Sequence, residues 1–459
     1  MDYKSSHKQR TGDGVAQNKP THRSTALIVL CIFVQIIITM TYRHVRPLGS
    51  PSSLSGADPE FSHLSSHCAH ISPISASSFY ARQQSLARTL YSLNASAYVA
   101  EPGASAGFFA NLSGAHWSLS ERPLLLIVSP ELDAEGTILP RMSILTPSFE
   151  ATRAKLLPIP SASDIAYPAW PEDANPFEVA ISAIRLFSGG PIFVDDNVRS
   201  FVADGLQKAA PQFRVSTAPV EVRHLRERKS KEELEIMKCV NEVTLLAIRA
   251  VRDKMYFGMH ESQARQLIIS ALTSAGLHNV GAITLFGENA ALPHGSGTDR
   301  VLSPHDFVLI DCDGSLHGYN SDVTRTFALA GSTIHTTHLR LWSLVHSAQA
   351  NAITAARNGS ITAEVDRAAR ETLSLQGYGQ YFTHRLGHGI GLEVHESPYL
   401  RGGSGDIILT GHTFSDEPGI YIEEQVGVRL EDCFFVDQDG TPVFLTAGVG
   451  GAAADPWHP

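Results

Sequence analysis

The residues best suited to chemistry lie in the last third of the chain, where four carboxylates and one imidazole occur in short ordered segments. They are Asp311, Asp322, His388, Glu417 and Glu431. Closed structural zinc sites prefer sulfur and nitrogen ligands. Carboxylates that can bridge instead suit a pair of divalent cations, with room left for a water molecule. The sequence therefore predicts a two-metal site of the kind found in hydrolases.

These five residues, in this order, resemble the ligand series of the metallopeptidase family that includes methionine aminopeptidase, proline aminopeptidase and prolidase. The resemblance covers residues 229–459, roughly half of the chain, and implies the pita-bread fold of that family. It implies that Asp322 and Glu431 bridge two metal ions and that Asp311, His388 and Glu417 complete their coordination. Manganese is the expected metal. Cobalt and zinc are alternatives, because all three metals accept this donor set.

The resemblance also assigns the histidines of the site. His294 and His395 correspond to the family's other active-site imidazoles, and His384 is expected near the substrate. As hydrogen-bond donors, His294 and His395 suit the scissile carbonyl and the tetrahedral intermediate. We assign Glu417 as the carboxylate that moves a proton from water to the leaving amine.

Two further features concern the surroundings of the ligands. Arg429 stands two residues before Glu431 and therefore on the same strand face. It is expected either to orient that carboxylate or to meet a carboxylate of the substrate. Arg385 stands where many relatives have glycine between two histidines, a departure that bears on substrate preference and removes no ligand.

The elements that must position these residues can be read from helix and hairpin signals. Ser230 and Glu233 form a capping box that begins a helix through Arg252. The order helix, helix, hairpin then occurs twice, and each hairpin carries two of the carboxylates. This order predicts an α+β fold with pseudo-twofold repeats, whose helices are 231–252, 261–275, 339–357 and 362–375.

The region from 65 to 225 alternates strand-like and helix-like segments, which predicts a smaller α/β domain. Helices are expected at 77–94 and 178–186, and strands at 123–128 and 190–195. In position this domain resembles the N-terminal domain of creatinases, prolidases and proline aminopeptidases. Methionine aminopeptidases lack such a domain, so the layout disfavours that activity. The catalytic domain is expected at 229–459.

An apolar segment, 26–42, predicts a transmembrane signal anchor, preceded by a basic tail (1–25) and followed by a flexible stalk (43–64). The excess of lysine and arginine upstream places the tail in the cytosol and the body in the secretory lumen or outside the cell. A cleaved signal peptide is the alternative. Three sequons, at Asn94, Asn111 and Asn358, agree with a luminal glycoprotein.

Composition narrows the class of protein. A net charge of −10 argues against a nucleic-acid partner, and 43% hydrophobic with 18% charged residues is ordinary for a globular enzyme. The five cysteines include no Cys-x-x-Cys pair, which argues against a disulfide scaffold. A single Cys68–Cys239 bond stays open if the body lies in an oxidising lumen.

Together these features predict a membrane-anchored dinuclear-metal peptidase that cleaves between an N-terminal residue and a following proline. Both an aminopeptidase and a dipeptidase fit, and a proline-containing peptide is the expected partner. The alternatives are a hydrolase of an unusual amide on the same fold and, with less support, a non-catalytic binding protein. The resemblance also implies a homodimer.

Overall fold

The computed structural model describes residues 60–186, 190–295 and 297–459. The predicted tail (1–25), the predicted anchor (26–42) and the stalk up to residue 59 lie outside the described residues. Within the described part of the chain, no helix is long and apolar enough to cross a membrane. The folded body begins before the predicted boundary at 65, because Phe61 and Leu64 are already buried.

The first part of the described chain forms one mixed six-stranded sheet with the order β4-β3-β2-β1-β5-β6. Its second strand contains the apolar run from Leu125 to Val128, which is buried on both faces, as expected for a strand inside a sheet covered by helices. The strands are β1 Ala97–Ala100, β2 Leu125–Leu132, β3 Ile138–Pro147, β4 Ala169–Trp170, β5 Ile192–Val194 and β6 Val215–Thr217. The helices are α1 Ala76–Ser92, α2 Ala104–Ala110, α3 Ala151–Ala154, α4 Pro176–Ser182, α5 Ser200–Ala209 and α6 Val220–Glu227.

The next part opens with the predicted capping box. The Ser230 side chain accepts from the Glu233 backbone, the Glu233 side chain accepts from the Ser230 backbone, and helix α7 follows over Lys231–Arg252. Helix α8, Glu261–Ser274, leads into an antiparallel three-stranded sheet, β7-β8-β9. Its strands are β7 His278–Phe286, β8 Val308–Leu316 and β9 Tyr319–Phe327.

The last part repeats the order of two helices followed by strands. Its helices are α9 Thr336–Ala355 and α10 Thr362–Ser374. A five-stranded sheet has the order β11-β10-β12-β15-β16, and β13 and β14 form a separate hairpin. The strands are β10 Gly387–Gly389, β11 Glu396–Leu400, β12 Thr413–Asp416, β13 Gly419–Ile422, β14 Val426–Arg429, β15 Asp432–Val436 and β16 Pro442–Phe444.

The predicted order of elements is confirmed, while some boundaries shift. Helix α9 begins three residues before its predicted start at Leu339, because the His335 side chain accepts a hydrogen bond from the Thr337 backbone and caps it there. The described residues belong to one compact unit. The division at 225–229, the pseudo-twofold relation and the homodimer stay predictions.

The two carboxylate-bearing halves are joined through strand β9. The Glu431 backbone N–H donates to the Thr324 carbonyl at 3.0 Å. Beneath this bridge, the fully buried Arg325 donates to Asp432 at 2.8 Å and to the Glu431 carbonyl at 2.6 Å. A buried guanidinium with such partners fixes one arrangement, because losing either charge would leave the other unpaired in the interior.

A disulfide bond joins Cys68 to Cys239 across 171 residues of sequence. Cys68 follows the short 3-10 helix Ser62–Ser66, and Cys239 lies in α7. Beside this bond, His67 contacts Glu242 at 2.9 Å. The cysteine pattern argued against a disulfide scaffold, and the structure contains the one pair left open, whose partners are brought together by packing that sequence spacing cannot reveal.

We expect the double substitution Cys68→Ser/Cys239→Ser to lower the free energy of unfolding by roughly 2–5 kcal/mol, because the bond restricts a long loop in the unfolded chain. Chemical denaturation of the oxidised protein and the variant measures this difference. Adding reductant should lower the midpoint of the wild-type protein and leave that of the variant unchanged. Equal midpoints for the oxidised wild type and the variant would contradict the stabilising role.

Candidate metal centre and catalytic cavity

All nine predicted site residues border one cavity of ≈ 740 Å³. The structure therefore brings together side chains that are separated by more than a hundred residues of sequence. They are Asp311, Asp322, His388, Glu417 and Glu431 as predicted metal ligands, with His294, His384, His395 and Arg429 around them.

The hairpin β8–β9 explains why the first two carboxylates meet. Asp311 pairs directly with Thr324 across the ladder, and Asp322 precedes Thr324 by two positions. Side chains at such diagonal positions share one face of the sheet. Asp311 and Asp322 therefore project towards the same side, where Asp322 is buried and Asp311 is partly accessible.

The glycine-rich segment around His388 permits a close approach between strands. A Cβ at position 387 would lie 2.0 Å from the Ser415 carbonyl oxygen, and one at 389 would lie 2.5 Å from the Glu396 carbonyl oxygen. Both contacts are too short for any side chain, so Gly387 and Gly389 are required. The strand thereby places the buried His388 against Ser415, whose hydroxyl accepts from the His388 backbone at 3.1 Å.

The orientation of the His388 ring leaves one nitrogen facing the carboxylates. Its Nδ1 contacts the Gly389 carbonyl at 3.0 Å, and since a carbonyl only accepts, Nδ1 carries the proton. Nε2 lies 3.3 Å from Glu417 Oε1 and 3.6 Å from Asp322 Oδ2. An imidazole held in this way is a typical metal ligand.

Three overlapping groups of side chains are close enough to hold metal ions. Within each group, the ligand atoms all lie within 4.8 Å of one another. Because Asp322, His388 and Glu431 each belong to two groups, the groups form one continuous cluster. The groups are Asp311 with Asp322 and Glu431, His388 with Glu417 and Glu431, and Asp322 with His388 and His395.

The electrostatics of the cluster favour a divalent cation. Burial, reinforced by neighbouring carboxylates, raises the pKa of Asp322 and of Glu431 well above the usual range. Burial also acts on Glu417, but His388, His384 and Arg429 outweigh it and lower the pKa of that carboxyl. Glu431 Oε1 is buried without a hydrogen-bond partner among the described residues. The donor set therefore fits a cation that would neutralise these charges and take up this oxygen.

Two hydroxyls that sequence reasoning missed hold the carboxylates in place. Thr324 Oγ1 donates to Glu431 Oε2 at 2.7 Å, and Ser415 Oγ donates to Glu417 Oε1 at 3.1 Å. Thr324 follows Asp322 by two positions and Ser415 precedes Glu417 by two. Strand alternation around each predicted ligand would have identified both.

Arg429 donates hydrogen bonds to other side chains of the protein. Its Nη2 donates to Asp311 Oδ2 at 2.6 Å, so its carboxylate contact is with Asp311 rather than with Glu431. Its Nη1 donates to the Tyr421 hydroxyl at 3.1 Å, and that hydroxyl also contacts His384 Nε2 at 2.8 Å. Arg429 therefore orients one wall of the cavity.

His395 borders the cavity next to His388. Its ring packs edge-on against His388, with centroids 4.2 Å apart. Partial loss of surrounding water, aided by the nearby His388 and Arg385, lowers the pKa of His395 to about 4. The following residue, Glu396, forms a buried ion pair with Lys229 at 2.6 Å. His395 is thus a neutral imidazole at physiological pH, on a segment anchored by a buried salt bridge.

Comparisons with known proteins agree with this geometry. Residues 235–438 match the profile of metallopeptidase family M24. The chain is 39% identical over 375 residues to an uncharacterized peptidase of Schizosaccharomyces pombe, covering 80% of this chain and 81% of that protein. It is 34% identical over 221 residues to an Xaa-Pro dipeptidase of Pyrococcus furiosus, covering 48% of this chain and 63% of that protein.

A solved structure extends the likeness beyond the residues that the family profile matches. The crystal structure of the dipeptidase PepE from Mycobacterium ulcerans superposes with a TM-score of 0.71 at 28% identity, covering 82% of this chain and 97% of that chain. The chain belongs to metallopeptidase family M24, as its site residues predicted. It is therefore a hydrolase of the metallopeptidase class, with the α+β fold of that family.

We expect Mn²⁺ to raise the Tm of metal-free protein, since a ligand at a hundredfold its Kd stabilises the folded state by about 2.7 kcal/mol. The substitution Glu431→Gln should abolish most of this shift. Because its pKa is raised, an ionised Glu431 opposes folding at neutral pH. The metal-free variant should therefore be at least as stable as the metal-free wild type.

The matched control is Asp313→Asn, which removes a carboxylate near Asp311 that belongs to none of the three groups. Differential scanning fluorimetry with and without Mn²⁺ gives the shift for each protein. A Glu431→Gln variant that keeps the full Mn²⁺ shift would show that the cluster does not bind the metal.

Proposed function

We propose that this protein is a dinuclear metallopeptidase that hydrolyses the bond between an N-terminal residue and a following proline. The observation that carries the proposal is the convergence on one cavity of five side chains able to ligate metal ions, together with His294 and His395. The similarity to proteins named Xaa-Pro dipeptidase supports the choice of substrate. This geometry is compatible with an aminopeptidase and with a dipeptidase.

Asp311, Asp322, His388, Glu417 and Glu431 would hold two divalent cations, manganese by preference. When bound, such cations supply Lewis-acid polarisation of the scissile carbonyl and acidify water. Arg429 keeps Asp311 oriented through its 2.6 Å contact. The Thr324 hydroxyl orients Glu431 by donating a hydrogen bond to its Oε2.

Proton transfer and hydrogen bonding to the substrate would be carried out by the protein's own side chains. Glu417, with its lowered pKa, is ionised at neutral pH and suited to accept a proton from water and pass it to the leaving nitrogen. His395 is neutral there and suited to donate a hydrogen bond to the carbonyl oxygen as negative charge develops. His294 lines the same cavity from the segment between β7 and β8.

The direct test is release of a free amino acid from Xaa-Pro and Xaa-Pro-Yaa peptides in the presence of Mn²⁺. Hydrolysis of either class, abolished by chelation and restored by metal, is the expected result. Cleavage of peptides without proline at the same rate would contradict the proline preference. No cleavage of any peptide by metal-loaded protein would favour the hydrolase of an unusual amide.

Substituting Glu417→Gln should lower kcat by roughly 10²–10⁴-fold, the contribution of a positioned general acid–base group. The control is Glu423→Gln, an exposed carboxylate on the adjacent hairpin β13–β14, which should retain wild-type kcat. Steady-state kinetics on one Xaa-Pro substrate compare the two. A Glu417→Gln variant with unchanged kcat would remove this residue from the mechanism.

We further propose that the body lies in an oxidising compartment of the secretory pathway, on the luminal side of a membrane anchored by residues 26–42. The Cys68–Cys239 bond supports this, since disulfides persist in oxidising compartments and are rare in the cytosol. The sequon asparagines Asn94 and Asn358 are exposed. Asn111 is less accessible, and its amide donates to the Pro158 carbonyl at 3.0 Å.

This location predicts that the protein in isolated microsomes is resistant to added protease until detergent opens the vesicles. It also predicts a decrease in mass after N-glycan removal, and this decrease should become smaller in an Asn94→Gln variant. Digestion of the whole body without detergent would contradict the luminal location. A released, unanchored protein would instead support the cleaved signal peptide.

A further inference from the structure

A short irregular segment presents His395 to the cavity. Residues 391–395 lie outside the helices and strands, between β10 and β11. Among the described residues, the His395 ring packs edge-on against His388 and forms no hydrogen bond. The place of the imidazole in the cavity therefore depends on how the backbone of residues 391–396 is held.

Polar contacts fix the two ends of this segment. The Asn320 backbone N–H and side-chain amide both donate to the Gly391 carbonyl, at 2.9 Å and 3.0 Å. At the other end, Glu396 forms its buried ion pair with Lys229 at 2.6 Å. Neither contact reaches the middle of the segment.

The middle is held by the first part of the chain, through the carboxylate of Glu393. Asn197 Nδ2 donates to Glu393 Oε1 at 2.9 Å, and Arg226 Nη2 donates to Glu393 Oε2 at 2.5 Å. Asn197 follows strand β5, and Arg226 lies in helix α6. Because each carboxylate oxygen has its own donor, the two contacts fix both the position and the rotation of the carboxylate.

The groups that hold Glu393 are themselves well fixed. Asp195 accepts from the Asn197 backbone N–H at 3.3 Å and from the Tyr98 hydroxyl at 2.6 Å. The Arg226 side chain is only 11% exposed. Leu392, the neighbour of Glu393, packs against the apolar core that includes Tyr98. The first sheet thus holds this segment through polar and apolar contacts together.

We propose that Glu393, held by Asn197 and Arg226, is a positioning residue that fixes segment 391–396 so that His395 faces the metal cluster. The first part of the chain thereby contributes to hydrolysis without touching the substrate. The inference rests on the proposed function, because the hydrogen bond that His395 would donate to the scissile carbonyl belongs to that reaction.

The first test is the kinetics of Glu393→Ala on one Xaa-Pro dipeptide, with Mn²⁺-loaded protein. We expect kcat to fall roughly 10- to 100-fold, the cost of misplacing a group in the site by about 1 Å. KM should change little, because the hydrogen bond from His395 strengthens as charge develops on the carbonyl. Glu393→Gln, which keeps one acceptor oxygen, should retain part of the rate, and Asn197→Ala should cause a smaller loss.

A double-mutant cycle with His395→Ala separates positioning from a general structural role. Residues that act through one another give non-additive effects. Glu393→Ala should therefore cause little further loss of kcat in a His395→Ala background. It should also keep the full Mn²⁺-induced rise in Tm, because Glu393 belongs to none of the metal-ligating groups.

The matched control is Glu172→Ala. Glu172 also accepts at both carboxylate oxygens, from Arg122 at 2.8 Å and 3.1 Å, and it does not border the cavity. Loss of this pair should leave kcat unchanged in both backgrounds.

A further measurement needs no substrate. Hydrogen–deuterium exchange reports local opening of the backbone. Arg226→Gln should raise exchange of the amides in residues 391–395 and leave that of strands β8 and β9 unchanged. Glu172→Ala should change neither.

Each outcome decides the inference. Wild-type kcat in Glu393→Ala, or an equal loss with and without His395, would overturn the positioning role. Exchange raised throughout Arg226→Gln would show a general structural role and would also overturn it. If the wild type hydrolyses no Xaa-Pro peptide, the proposed function fails, and exchange decides the inference alone. Unchanged exchange at 391–395 in Arg226→Gln would then refute it.

Discussion

The structure depends on the crowding of four carboxylates around one buried imidazole. Removing ionised carboxylates from water is costly unless each finds a cation or hydrogen-bond donor. Arg429 donates to Asp311, and the Ser415 hydroxyl donates to Glu417. Asp322 and Glu431 are left with raised pKa values, and Glu431 Oε1 has no partner among the described residues. The cluster is therefore electrostatically incomplete in a way that divalent cations would resolve.

The rest of the fold can be understood as the means of holding that cluster. Strands β8 and β9 carry Asp311 and Asp322, and Glu417 and Glu431 flank the hairpin β13–β14. The Thr324–Glu431 contact and the buried Arg325–Asp432 pair join these parts. The cavity that results is bordered by these carboxylates, by the imidazoles of His294, His384, His388 and His395, and by Arg429.

Much of this organisation could be predicted from the sequence because it depends on local signals. The capping box at Ser230, the helices and the order of the five ligands can each be recognised from residues that are close together in the sequence. The hydroxyls of Thr324 and Ser415, which hold two of the carboxylates, could also have been predicted from strand alternation. The contact between Arg429 and Asp311 could not be predicted in this way, because it depends on how strand β14 packs against strand β8.

The sequence left the Cys68–Cys239 bond open for a similar reason. Its partners are 171 residues apart, and spacing contains no information about packing between a short N-terminal segment and helix α7. The most direct test of a dinuclear metal centre is an anomalous difference map from crystals grown with Mn²⁺. Two peaks are expected among Asp311, Asp322, His388, Glu417 and Glu431. A single peak there, or none, would contradict a dinuclear centre.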